Sequence, residues 1–204
     1  MGNSKRKIIA IEFMSLDGVI QAPGVPDEDT DGGFAYGGWI APYFDDTLGA
    51  VMGEQMQQPF ALLLGRKTFE IFAGYWPQRE DQWPGVNDAT KYVVADSVAG
   101  YEWENTVCIK SNVLDELKRI KAQDGPDLHV FGSSVLLQTL LQEDLVEELW
   151  LKIFPITLGR GKRLFDGGSI PAAFKLKQSK TSPSGVIIAS YERAGSVETE
   201  GFGT

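Results

Sequence analysis

The chain predicts an α/β fold with a mostly parallel central sheet, helices on both faces and an antiparallel C-terminal hairpin. Three observations lead there. Apolar runs of strand length alternate with segments of helical spacing through most of the chain. Two strands stop at a glycine and pass straight into a helical pattern, at Leu62-Leu63-Leu64-Gly65-Arg66-Lys67-Thr68 and at Leu128-His129-Val130-Phe131-Gly132-Ser133-Ser134. The end of the chain then turns β-rich. At 204 residues it fits one domain, since a single core grows to roughly 250 residues. A domain over residues 7–194 is expected, with a disordered tail at 1–6 and a flexible one at 195–204.

Taken in order, Lys7 to Met14 is mostly apolar and ends at Ser15-Leu16-Asp17-Gly18, which predicts a first, central strand. Gln21 to Gly38 is rich in Gly, Pro and Asp without periodicity and reads as a long loop, either a lid or a solvated acidic insertion. Pro42 to Gln57 has helical spacing through Phe44, Leu48, Val51 and Met52, with Asp45 and Asp46 in the first turn, where the helix dipole favours acids. A strand opens at Phe60. Lys67 to Phe72 starts a short helix that Tyr75-Trp76-Pro77 ends, because proline lacks the N–H that a helix needs. Strands follow at Lys91 to Ala95, ending in Asp96-Ser97, and at Thr106 to Ile109. Val113 to Ala122 is helical through Leu114, Leu117 and Ile120, closed by Gly125-Pro126, and a further helix spans 134–142. Glu148 to Phe154 alternates polar and apolar, as a strand with one better-buried face does, and Lys175 to Ser179 with Gly185 to Tyr191 form the hairpin.

Composition excludes several classes. A net charge of -9 with a pI near 4.7 argues against nucleic acid, whose binding rests on clustered Lys and Arg. Cys108 is the only cysteine, so an intrachain disulfide and a multi-cysteine zinc site are out, no metal site is expected, and a reducing cytoplasm fits. No apolar run approaches the ~20 residues that cross a bilayer, and a soluble protein is expected. Met1-Gly2 is not a myristoylation start, because Arg6 replaces the needed Ser or Thr. Gly159-Arg160-Gly161 fails as a dinucleotide turn, with Leu164 in place of the third glycine. His129, the only histidine, lies within a strand and reads as structural, so chemistry must run on carboxylates, hydroxyls or a cofactor.

A strand ending in a glycine turn that opens a helix presents unpaired N–H groups and a positive dipole end. Arg66, Lys67 and Thr68 add donors at the first such turn, and Ser133 and Ser134 at the second. Each turn alone is equally well an ordinary capped helix start. Together with Asp17-Gly18 and Asp96-Ser97 they lie at strand carboxyl ends, which in an open α/β sheet share one edge and form a single cleft. A nucleotide cofactor is the expected occupant.

The residues also resemble the dihydrofolate reductase superfamily, most closely the C-terminal reductase domain of bifunctional riboflavin-biosynthesis deaminase-reductases and its stand-alone relatives. The resemblance is carried by Met14-Ser15-Leu16-Asp17-Gly18, Gly37-Gly38-Trp39, Leu64-Gly65-Arg66-Lys67-Thr68-Phe69, Gly74-Tyr75-Trp76-Pro77, Lys91-Tyr92-Val93-Val94, Val130-Phe131-Gly132-Ser133, and Leu145 to Leu149 through Pro155 and Leu158 to Phe165. These pieces span Ile8 to Tyr191. The resemblance implies a three-layer dihydrofolate-reductase-like fold and an NADPH-dependent reductase. It places Arg66 and Lys67 near a 2′-phosphate, and Gly65, Thr68 and the Gly132-Ser133-Ser134 turn at the diphosphate. Leu137 would line the groove, with Asp17 beside the nicotinamide. Many relatives carry Gly-Gly where Gly132-Ser133 stands, and Asp96, beside Ser97, would repel a 2′-phosphate, so NADH stays open beside NADPH. A carboxylate, Asp17, Asp45 or Asp46, would assist acceptor binding or protonation.

The implied reaction is hydride transfer to a C=N or C=O of a pterin- or pyrimidine-like heterocycle, of the dihydrofolate reductase or 5-amino-6-(5-phosphoribosylamino)uracil reductase type. The chain carries no His-x-Glu and no paired cysteines for the zinc of a deaminase half. The alternatives are a non-catalytic nicotinamide-nucleotide-binding protein of the same fold, and an interaction module presenting Trp39, Tyr75, Trp76 and Trp83. A homodimer is expected from the relatives, with Leu149, Trp150 and Leu151 as its weak local support.

Overall fold

The computed structural model describes residues 6–166 and 169–201. The chain runs β1 (Ile8–Ser15), α1 (Asp46–Met56), β2 (Phe60–Gly65), α2 (Arg66–Tyr75), β3 (Lys91–Val94), β4 (Thr106–Ile109), α3 (Val113–Lys121), β5 (Asp127–Phe131), α4 (Ser134–Gln142), β6 (Glu148–Phe154), β7 (Ala173–Thr181) and β8 (Ile187–Gly195). One eight-stranded sheet has the order β4-β3-β2-β5-β1-β6-β8-β7. Its first six members are mutually parallel, while β8 is antiparallel to β6 and β7 to β8.

Strand periodicity sorts the core into two layers around this sheet. Ile8 and Ala10 share a face with Leu128, Val130, Leu149 and Leu151, and α3 and α4 cover it with Leu117, Ile120, Leu137 and Leu140. On the opposite face, Phe13 and Phe154 pack against Leu48 of α1, and Leu62 and Leu64 against Phe69 of α2 and Trp83. Burying a leucine of this kind completely is worth about 1.5–3 kcal/mol. Helices therefore lie on both sides, as expected. No helix among the described residues is long and apolar enough to cross a membrane.

The differences from expectation have local causes. Asp45 caps α1 by accepting the Leu48 N–H at 2.9 Å, so the helix starts at Asp46, and Pro42 belongs to a short 3-10 turn, Ala41–Tyr43. Helix α2 continues past Phe72 to Tyr75 before Pro77. The two faces of β6 are buried about equally, where one was expected to be the better buried: Leu149 and Leu151 fill the α3/α4 side, while Lys152 is buried on the α1 side. Residues 1–5 lie outside the described ones, but Arg6, placed with the tail by the sequence, is buried and its Nε donates to the Pro126 carbonyl at 2.5 Å. Strand β8 reaches Gly195, which pairs with Ala173.

The loop after β1 is pinned across the carboxyl edge. Trp39 Nε1 donates to the Gln21 carbonyl at 2.8 Å, and the Gly38 N–H to that of Ala22 at 2.9 Å. Gly37 is required here because a Cβ would stand 2.2 Å from the Pro26 carbonyl oxygen.

Candidate active site

The β2–α2 and β5–α4 turns are adjacent because β2 and β5 are neighbours in the sheet. Side chains lock them together: the Gly65 N–H donates to Ser133 Oγ at 3.0 Å, and the Ser133 N–H to Thr68 Oγ1 at 2.9 Å. Gly132 and Ser133 are both left-handed, with φ of 51° and 49°. Glycine adopts this freely, whereas the serine there has its hydroxyl held by Gly65. Neither α2 nor α4 receives a side-chain cap. Their first-turn N–H groups and positive dipole ends are left for a ligand.

A cleft of about 800 Å³ opens from these turns, within the size range of small-molecule sites. Gly65, Arg66, Lys67 and Thr68 line it together with Gly132, Ser133 and Ser134. It continues over the α1/α2 face of the sheet, where Trp76, Trp83, His129, Phe131, Gln55 and Lys152 form its walls. The rings pack edge-on: Trp83 meets Trp76 at 4.9 Å and Phe131 at 5.3 Å, and His129 meets Trp150 at 5.5 Å. The Lys152 Nζ donates to the Gln55 side-chain oxygen at 2.5 Å and lies 5.6 Å from the Phe13 ring centroid.

Electrostatics here are unusual. Burial pulls Lys152 down to about 7, against the opposing pull of the Glu12 charge. Burial pulls His129 down to about 4, which keeps its ring neutral near pH 7. Glu12 also lines the cleft, but it shares a face with Leu151, while Lys152 aligns with Phe13 on the other face. Burial pushes the Glu12 carboxyl well above the usual range, although the Gly132 N–H and Lys152 favour its ionised form. Its Oε1 and the Trp83 Nε1 are buried without a hydrogen-bond partner among the described residues. A raised acid stabilises the fold fully below its unfolded pKa, and that contribution is lost as pH rises toward the folded value. Glu12→Gln is therefore expected to melt higher than wild type near neutral pH, by roughly 2–4 °C for about 1 kcal/mol, with the gain vanishing near pH 4.5. Thermal melts of both proteins across that range check this.

The other sequence candidates lie elsewhere, and none lines the cleft. Asp17 was expected beside the nicotinamide; instead it accepts the Leu158 N–H at 3.0 Å, the Gly159 N–H at 2.7 Å and the Ser15 hydroxyl at 2.6 Å. Burial pushes Asp17 up, but the Ser15 hydroxyl and these N–H groups outweigh it and hold it at about 2. Asp45 caps α1 and accepts the Ser184 N–H, and Asp46 occupies the helix's first turn. Leu137 is fully buried in the α3/α4 core, because that face of α4 packs on the sheet. Asp96 and Ser97 follow β3 outside the cleft walls. Arg66 pairs with Glu70 at 2.7 Å. Lys67 and Lys162 both bind Asp29 and Asp31 of the loop, at 2.6 to 2.8 Å. Glu12, Gln55 and Lys152 escaped the sequence reading, and His129 had been assigned only a structural part. A charged residue inside an apolar strand was the available signal.

A mixed sheet of this order, flanked by helices and closed by a C-terminal hairpin, defines a protein of dihydrofolate-reductase-like fold. The chain belongs to the RibD C-terminal domain family, whose profile matches residues 6–188. It is 30% identical over 142 residues to the uncharacterized protein YyaP of Bacillus subtilis (strain 168), covering 67% of this chain and 75% of that one. A Shewanella sp. PV-4 protein named for riboflavin biosynthesis superposes with a TM-score of 0.64 at 23% identity, over 92% of this chain and 99% of the other. Dihydrofolate reductase from Enterococcus faecalis, complexed with NADP(H) and RAB-propyl, gives 0.59 at 16% identity, over 93% and 97%. Membership and fold point to a reductase-type function.

Proposed function

We propose that the protein is an NADPH-dependent reductase acting on a pterin- or pyrimidine-like heterocycle. The observation that carries this is the pair of interlocked turns, Gly65 to Thr68 and Gly132 to Ser134, at the mouth of a cleft of about 800 Å³. The turns fit a diphosphate: two uncapped helix starts meet there, and Gly132, at a φ of 51°, keeps the second turn free of a side chain. Arg66 and Lys67 supply the cations for a further phosphate. Bound there, a reduced nicotinamide supplies hydride to a C=N or C=O carbon. The protein's own contribution is chiefly positioning, which turns a bimolecular encounter into an effectively intramolecular step.

Calorimetric titration with NADPH and NADH, followed by loss of reduced-nicotinamide absorbance with dihydrofolate and with the ribosylaminopyrimidine, tests the reading. Cofactor binding with turnover of either acceptor is expected. Binding without turnover on any heterocycle favours the non-catalytic nucleotide-binding alternative. Absence of binding by either dinucleotide overturns both.

A further inference from the structure

Buried cations are ordinarily paired with a carboxylate, and Lys152 is not. Among the described residues its one hydrogen bond goes to Gln55, and it forms no ion pair. Two of its N–H bonds are left for a ligand in the cleft that it lines. Trp83, in the same walls, has a buried Nε1 that is also without an acceptor. Lys152 and Trp83 thus put two donors on this side, while Glu12, whose Oε1 is without a partner among the described residues, takes the other face of the sheet beside Leu151 and the remaining acids of the cleft are engaged elsewhere. Glu28 accepts the Gly24 N–H, and Asp29 and Asp31 hold Lys67 and Lys162. Helix α1 turns Gln55 toward the cleft and keeps Asp45 and Asp46 away. The planar ring walls suit a flat heterocycle.

We propose that Lys152, positioned by Gln55, recognises a carbonyl or imine atom of a planar dicarbonyl heterocycle and gives it the proton that accompanies hydride transfer. This rests on the reductase reading above. As the acceptor carbon takes hydride from the reduced nicotinamide, the electron pair of its C=N or C=O π bond withdraws to nitrogen or oxygen. That atom takes the proton from the Lys152 ammonium, and the resulting amine regains one from solvent. One acceptor, one reduced nicotinamide and one proton yield the reduced heterocycle and the oxidised nicotinamide. Gln55 is a positioning residue.

The groups around Lys152 set its pH behaviour. They are Phe13 and Glu12 on β1, Ile188 on β8 and Gln55 on α1, with His129 on β5 in the same walls and Arg66, Lys67 and Lys162 toward the loop. The ammonium form is lost as pH rises through about 7, so kcat/KM is expected to fall there.

The test uses two probes, lumazine (pteridine-2,4-dione) and 2,4-diaminopteridine, with binding followed by fluorescence quenching below pH 7. Wild type is expected to bind lumazine at least about tenfold more tightly than the diamine. Lys152→Met is expected to lose about tenfold for lumazine and nothing for the diamine, with Lys152→Gln as a second, polar replacement. With an acceptor that turns over, Lys152→Met is expected to lower kcat/KM by about 100-fold, and Lys152→Arg to abolish the fall near pH 7. Equal binding of the two probes, or a Lys152→Met protein that still prefers lumazine, overturns this inference. NADPH titration into the same samples reports on the reductase reading separately.

Discussion

Ser133→Val is expected to cost the fold about 2–3 kcal/mol and to weaken NADPH binding by about 100-fold or more. A β-branched residue is an outlier at a φ of 49°, at a cost of roughly 1–2 kcal/mol, and losing the acceptor for the Gly65 N–H removes about 1 kcal/mol more. The larger consequence is geometric. Ser133 holds the two turns in register through Gly65 and Thr68, so relaxation at this residue moves both helix starts apart. Ser133→Gly makes the contrast: it relieves the left-handed strain while losing the hydroxyl, and should leave stability near wild type with affinity down about tenfold. Denaturant unfolding and calorimetry measure the two effects. Wild-type affinity in Ser133→Val means that the cofactor's phosphates sit elsewhere.

Asp17→Ala should be the reverse case, costing about 2–3 kcal/mol of stability while turnover per folded molecule stays near wild type. The carboxylate joins the end of β1 to Leu158 and Gly159, and its removal strands two N–H groups and the Ser15 hydroxyl. Because Asp17 is held at about 2 against an ordinary 3.8, its contribution is complete above 3.8 and is lost as pH falls through about 2. The stability gap between variant and wild type should therefore close over that acid window. A loss of kcat at full folded population would return Asp17 to the chemistry.

Much of the fold was legible because its local signals agree. Leu62 to Gly65 is apolar strand followed at once by helix formers, and Gly125-Pro126 closes α3, so strand and helix alternate without ambiguity. The two glycine turns at Gly65 and Gly132 were legible for the same reason, since a glycine followed by hydroxyl or basic residues marks where each strand stops and its helix begins. The inner end of the cleft was not. Lys152 sits in a strand whose polar-apolar alternation reads as one better-buried face with Lys152 on the other, and only the packing of α1 over that other face buries it. Glu12 is hidden among Ile8, Ile9 and Ile11, where period-two sorting says which face it takes but not that the sheet edge opens beside it. Asp17 is the opposite case: its strand-end position was legible, while its partners Leu158 and Gly159 are about 140 residues away and leave no local trace.

Asp29 and Asp31 of the loop carry a consequence for traffic through the mouth of the cleft. Lys67 and Lys162 are already neutralised by Asp29 and Asp31, so an incoming anion must exchange partners with the loop and does not meet bare charge. Added salt then acts in both directions, loosening the loop's grip on the lysines while screening the anion that would replace it. Capture of a charged visitor should vary less with ionic strength than two exposed lysines alone would dictate, and the same exchange run backwards gives a spent one its way out.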